Sequence, residues 1–197
     1  MTKYVLNSGG LKNQPSLTKE FFAEAVKGLG NKPRVLMCLF ALPRQDWEKR
    51  FASDCRSMEA SLPEGVAAVF DLAFPDTFAE QIGRSEMIFI RGGDDHLIDH
   101  WMRKFDIPRI WEGKVIATSS AGSDVLCNSF WTCDWRTCMD GLGILPIKFL
   151  PHFESDYGND DPRGPVDWQN ALSELKAYKD GLPVHALKEG EFVVFKK

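Results

Sequence analysis

A chain of 197 residues with 44% hydrophobic and 26% charged side chains has the make-up of a single soluble globular domain with a sizeable core. A net charge of −4 leaves no basic excess to hold nucleic acid or an anionic membrane surface, and no apolar run approaches the ~18 residues that span a bilayer. Five cysteines, at positions 38, 55, 127, 133 and 138, are odd in number and lack CxxC or finger-like spacing, which argues against a disulfide framework and a zinc site and for a reducing cytoplasm. The start, "MTKYVLNSGG", carries no apolar signal-peptide core, so a cytoplasmic location is expected. No metal or other cofactor is expected either.

Lys3–Asn7 reads as the first strand. Phe21, Phe22, Ala25, Val26 and Leu29 form a helical stripe closed by Gly28 and Gly30. "RVLMCLFAL" (34–42) is continuously apolar and predicts a strand buried on both faces. Residues 45–60 read as a helix, 66–72 as a strand and 76–82 as a short helix. "MIFI" (87–90) is a strand broken by Arg91-Gly92-Gly93. Apolar positions 97, 98, 101, 102 and 105 give 95–105 helical spacing. "KVIAT" (114–118) is a strand, and 121–129 reads as a helix. Irregular segments follow, then a helix near 166–178 and a terminal hairpin turning at Glu189-Gly190. Repeated β-α units predict one domain over 1–197, an α/β three-layer sandwich around a mostly parallel central sheet.

Open sheets of this kind carry their sites at the carboxyl ends of strands. Two strand ends have unusual turns here, Gly92-Gly93 and Ser120-Ala121-Gly122. A sharp strand-to-helix turn exposes its apex side chain and needs small neighbours, and Ser120 fits such an apex. The competing reading is a serine that merely caps the following helix. A nucleophilic serine needs a base, and the chain has four histidines. His96 and His100 lie four apart on one helix, and His185 sits in the terminal hairpin. His152 follows an apolar run with Pro151 fixing the approach, at a place that can reach the same sheet edge as Ser120.

Taken together and in order, "IFIRGGDDHLIDHW", "TSSAGSDVL" and "LPHF" resemble the serine peptidase E family, the aspartyl dipeptidase and cyanophycinase-related group. The resemblance spans nearly the whole chain. It implies a class I glutamine-amidotransferase-like, flavodoxin-like fold. It implies Ser120 as nucleophile, His152 as general base, and the N–H groups of Gly93 and Ala121 as the oxyanion hole. Gly92 and Asp94 would border the substrate. The third triad member would be an acid between serine and histidine, with Asp134 matching best by distance from Ser120 and Asp140 as the other candidate. The activity implied is hydrolysis of dipeptides or short peptides by a monomer or homodimer that needs neither nucleic acid nor membrane.

The chain also departs from that pattern. Thr118 stands where the family has glycine, and Asp94-Asp95 follow the Gly-Gly turn in place of Asn-Thr. A β-branched residue beside the elbow bears on its geometry. Two carboxylates facing the oxyanion hole would repel a developing oxyanion. These departures support an alternative, a non-catalytic relative that binds small molecules or peptides. A glutamine amidotransferase would need cysteine at position 120, and Cys127 lies too far along to take that place.

Overall fold

The computed structural model describes residues 1–197. In chain order the elements are β1 (Lys3–Asn7), α1 (Pro15–Val26), β2 (Arg34–Cys38), α2 (Trp47–Glu59), β3 (Val69–Leu72), α3 (Phe78–Gly83), β4 (Met87–Ile90) and α4 (Asp95–Met102). Then come β5 (Val115–Ser119), α5 (Ala121–Asp124), β6 (Cys127–Thr132), β7 (Thr137–Asp140), β8 (Leu145–Leu150), α6 (Trp168–Ala177), β9 (Val184–Ala186) and β10 (Phe192–Lys196). The main sheet has the order β10-β1-β5-β4-β2-β3 and is parallel except for the β1–β10 pair.

Burial on both faces explains the apolar strands. Successive side chains of a strand point to opposite sides. Val5, Val35, Met37, Met87, Phe89 and Ala117 pack with Phe21, Phe22 and Met58 from α1 and α2. Their neighbours Tyr4, Leu6, Leu36, Ile88, Ile90 and Ile116 pack on the other side with α3, α4 and α5 residues such as Phe78, Ile98 and Ala121. This second core also takes in Phe130 and Phe149.

Those two phenylalanines belong to a second sheet, ordered β7-β6-β8-β9, whose β7 and β8 lie in the stretch expected to be irregular. β6 pairs antiparallel with β7 and parallel with β8, and β8 pairs parallel with β9. Its far face, with Trp131 and Leu150, is covered by Ala171 and Leu175 of α6. The helix expected over 121–129 therefore stops at Asp124, because "CNSFWT" enters β6. Its aromatic and β-branched residues suit a pleated surface. The terminal hairpin is likewise two strands in two sheets: β9 joins β8, and β10 joins β1. The strand expected over 34–42 ends at Cys38, and Leu39–Ala41 continue the core as buried loop.

Lys148 stands fully buried in β8. Its Nζ donates to the carbonyls of Leu175 (3.1 Å) and Lys176 (3.2 Å), and to those of Tyr178 and Asp180. The ammonium thus caps the carboxyl end of α6, where carbonyls lack intrahelical partners. Replacing it by Met keeps the stem and strands the carbonyls. Lys148→Met is expected to cost about 2–4 kcal/mol, read as a lowered midpoint in urea with an unchanged slope.

Candidate active site

Strand β5 lies between β1 and β4, so the loops leaving these three strands meet at one edge. Ser120 follows β5 immediately, with φ 51° and ψ −123°. An L-residue adopts that backbone at a cost of roughly 1–3 kcal/mol, and the surrounding contacts hold it there. Ser120 N–H donates to Asn7 O (3.0 Å). Gly122 permits close approach: a Cβ there would lie 2.4 Å from Ile90 O. The Ser120 side chain makes no cap to α5, so the plain capping reading does not hold.

Thr118 fits the elbow without distorting it. The Ser123 hydroxyl donates to Asn7 O (2.8 Å), so the Thr118 hydroxyl donates to Ser123 Oγ (2.7 Å). The extra methyl and hydroxyl sit fully buried behind the turn.

His152 Nε2 lies 3.0 Å from Ser120 Oγ. His152 itself has φ 55° and is held by its backbone, whose N–H donates to Ser8 Oγ (2.7 Å). The Ser8 hydroxyl in turn donates to Leu187 O (2.8 Å). On the far side of the ring, Nδ1 lies 3.0 Å from Glu189 Oε1. The carboxylate at His152 is therefore Glu189, and neither Asp134 nor Asp140 stands there. Asp134 Oδ1 accepts the Tyr157 hydroxyl proton at 2.8 Å, and the Tyr157 ring stacks on His152 at 4.1 Å between centroids. Asp134 is thus one side chain removed from the imidazole. Asp140 ends β7 and pairs with Lys179 at the surface.

The loop after β1, "NSGG", builds the back of the site. Asn7 Oδ1 accepts from Gly9 N–H (2.7 Å), and its amide donates to Gly190 O (2.9 Å). Gly190 N–H donates to Gly9 O (2.8 Å). These bonds fix the Glu189 loop against β1. Gly9 has φ 107°, and a Cβ on it would lie 2.4 Å from His152 Cε1 and 2.6 Å from Nε2. Gly9→Ala is expected to push the imidazole off Ser120 and cut turnover on the order of 10²-fold, since misplacement of about 1 Å carries such a loss. Turnover beside a melting curve checks this, and an unchanged rate in folded Gly9→Ala protein would count against the present geometry.

Burial holds the His152 imidazolium below its usual pKa of 6.5, against the hydrogen bond and charge of Glu189, which favour the charged form. A base must be neutral to accept a proton, so the acid limb of a rate profile should lie below pH 6.5.

The Gly92-Gly93 turn faces the elbow. A Cβ on Gly92 would meet Ser119 O at 2.7 Å, and one on Gly93 would meet Ala41 O at 2.4 Å. The N–H groups of Gly93 and Ala121 donate to no other protein group. Asp94, expected beside the substrate, is not among the residues that line the cleft. Its carboxylate accepts from Leu97 N–H (2.8 Å) and caps α4. Asp95 is buried behind it. Neither carboxylate lines the opening in front of Ser120.

That opening is a cleft of about 650 Å³ between α1, α2 and the elbow. Phe22, Met58 and Phe89 give it an apolar floor, and Lys12, Arg91 and Asp134 add charge. Arg91 donates through Nε to Asp54 (2.6 Å) and through Nη1 to Gly92 O (2.8 Å). No group of three or more His, Cys, Asp or Glu side chains converges to hold a metal, and no helix is long and apolar enough to cross a membrane.

A strained serine between strand and helix, backed by a histidine at the carboxyl edge of a mainly parallel sheet, places the protein among the α/β serine-type hydrolases. Within that class the chain belongs to peptidase family S51, whose family model matches residues 5–197. No curated protein matches it in sequence. Among solved structures it is similar to a peptidase from an acI-B1 Actinobacterium, with 18% identity and a TM-score of 0.66 over 100% of this chain and 84% of that one. It is also similar to a candidate peptidase E protein from Listeria monocytogenes EGD-e, with 13% identity and a TM-score of 0.65 over 100% and 99% of the two chains. At these identities the two structures speak for the fold.

Proposed function

We propose that this serine peptidase cleaves dipeptides or other short peptides, with Ser120 as nucleophile, His152 as general base and Glu189 as the acid that orients it. The observation that carries the reading is the continuous line Ser120 Oγ–His152 Nε2 and His152 Nδ1–Glu189 Oε1, both 3.0 Å, at the mouth of a cleft. Glu189 accepts a hydrogen bond from Nδ1–H, which keeps the proton on Nδ1 and leaves Nε2 with a lone pair facing the serine. His152 takes the Ser120 proton as Oγ attacks the peptide carbonyl carbon. The carbonyl oxygen becomes an oxyanion between the N–H groups of Gly93 and Ala121. His152 then gives the proton to the departing amine. Water repeats the sequence on the acyl-enzyme and restores Ser120.

The cleft supports a small substrate. Its volume falls in the ~300–1,000 Å³ range of small-molecule sites. Arg91 spends Nε and Nη1 on protein partners, which leaves Nη2 for a peptide carboxylate. A dipeptide library, assayed with free and with amidated carboxyl ends, tests this. Hydrolysis of free dipeptides, weakened by amidation, is expected. Cleavage confined to long peptides or proteins would contradict the reading.

A further inference from the structure

The backbone is tied down on both sides of the Gly92-Gly93 turn. Arg91 N–H donates to Cys38 O (3.0 Å), and Asp94 N–H donates to Ala41 O (2.8 Å). Between these ties the peptide that joins Gly92 to Gly93 makes no backbone hydrogen bond. Its two Cα atoms have little room to shift. A Cβ on Gly92 would lie 2.9 Å from Ser120 Cβ, and one on Gly93 would lie 2.4 Å from Ala41 O. The peptide plane between them is the soft element, because glycine on both sides lets it turn, and Gly93 already has φ 153°. In a planar trans peptide the Gly92 C=O and the Gly93 N–H point opposite ways. Turning the plane over would therefore present a carbonyl oxygen where a developing oxyanion needs a donor.

One side chain opposes that turn. Arg91 Nη1 donates to Gly92 O at 2.8 Å, and no other protein group donates to that oxygen. The guanidinium is itself held from α2: its Nε donates to Asp54 Oδ2 at 2.6 Å. The Arg91 and Asp54 side chains are only 24% and 12% exposed, so water competes little for either bond. Nε and Nη1 belong to one rigid plane, so the Asp54 carboxylate fixes where Nη1 stands. Resting on the reading of Ser120 as nucleophile and Gly93 as an oxyanion donor, we propose that Asp54 and Arg91 clamp the Gly92–Gly93 peptide by its carbonyl and so keep the Gly93 N–H turned toward the oxyanion. In this role both are positioning residues, acting on the reaction through Gly93. The remaining arm, Nη2, stays open to a substrate carboxylate with the clamp closed.

The test is labelling by an alkyl fluorophosphonate that has no carboxylate, so that Nη2 plays no part in its binding. Asp54→Ala and Arg91→Met should each lower the maximal labelling rate roughly 10- to 100-fold with an unchanged half-saturating probe concentration, as expected for a displaced oxyanion donor. The double variant should label no more slowly than Arg91→Met alone, because Asp54 acts through Arg91. Arg91→Lys keeps a charge opposite Asp54 but not the flat fork, so it should melt like the wild type and still label roughly 10-fold more slowly. That variant decides the matter if the others fail to fold, since a mere ion-pair staple between α2 and the end of β4 would survive in it. Arg91→Lys protein that labels at the wild-type rate would overturn the proposal, as would folded Asp54→Ala protein that does so. A rise in the half-saturating concentration alone would overturn it too, by making the pair a binding group for the probe. Wild-type protein that takes no label would bring down the Ser120 reading and the clamp with it, whereas a labelled wild type with unaffected variants would bring down the clamp alone.

Discussion

Ser120→Ala protein should fold normally and lose peptide hydrolysis by a factor on the order of 10³–10⁶. Alanine keeps the Cβ that the elbow already accommodates at φ 51°. The fold's hold on this residue runs through its backbone: N–H to Asn7, and C=O accepting from Ser123 and Asp124. The hydroxyl's one hydrogen bond, to His152, is the reactive one. Stability should therefore stay within about 1 kcal/mol. Ser119→Ala should retain most activity, because Ser119 belongs to β5 and is buried in register with Asn7. Kinetics on a cleaved dipeptide and a thermal melt of each variant check both statements.

Glu189→Gln should lower the rate roughly 10²- to 10⁴-fold, since the imidazole loses both its tautomer support and the charge that stabilises its protonated form. The pH profile adds a sign. Glu189 raises the His152 pKa against burial. With glutamine in place, burial acts with less opposition, so the acid limb should move to lower pH while the plateau falls. A variant that merely loosened the loop would lower the plateau without moving the limb in that direction. Asp134→Asn should cost at most about ten-fold, because Asp134 bonds to the stacked Tyr157 rather than to His152 and acts on the imidazole through its charge alone. A larger loss at Asp134 than at Glu189 would reverse the assignment.

The parallel sheet was legible in the sequence wherever strands are buried on both faces, as in "RVLMC" and "MIFI". Such strands are runs of apolar residues, and the helices between them carry their own period. The second sheet was less so. β7 is short and half exposed, and β8 contains Lys148, a charge made tolerable by the carbonyls at the end of α6 and by Asp180 just beyond it. Ser120 and His152 could be singled out because small residues and a proline mark their turns. Glu189 could not, because it meets His152 across a gap of 37 positions and looks like one half of a tight turn with Gly190. One signal did exist. "NSGG" after β1 pairs glycines at a strand end as "RGG" does after β4, and one glycine of each pair, Gly9 and Gly92, makes room for the serine and its histidine. The Asp94-Asp95 pair also misleads when read alone. In the fold one carboxylate caps a helix and the other turns inward, away from the cleft.

Mapping the adduct of a fluorophosphonate probe on the wild-type protein at pH 7 addresses the central claim most directly. One phosphonate per chain is expected, carried on the peptide that contains Ser120, with labelling lost in Ser120→Ala and strongly slowed in Glu189→Gln. Folded wild-type protein that takes no label, or that carries it on any residue other than Ser120, would contradict the account.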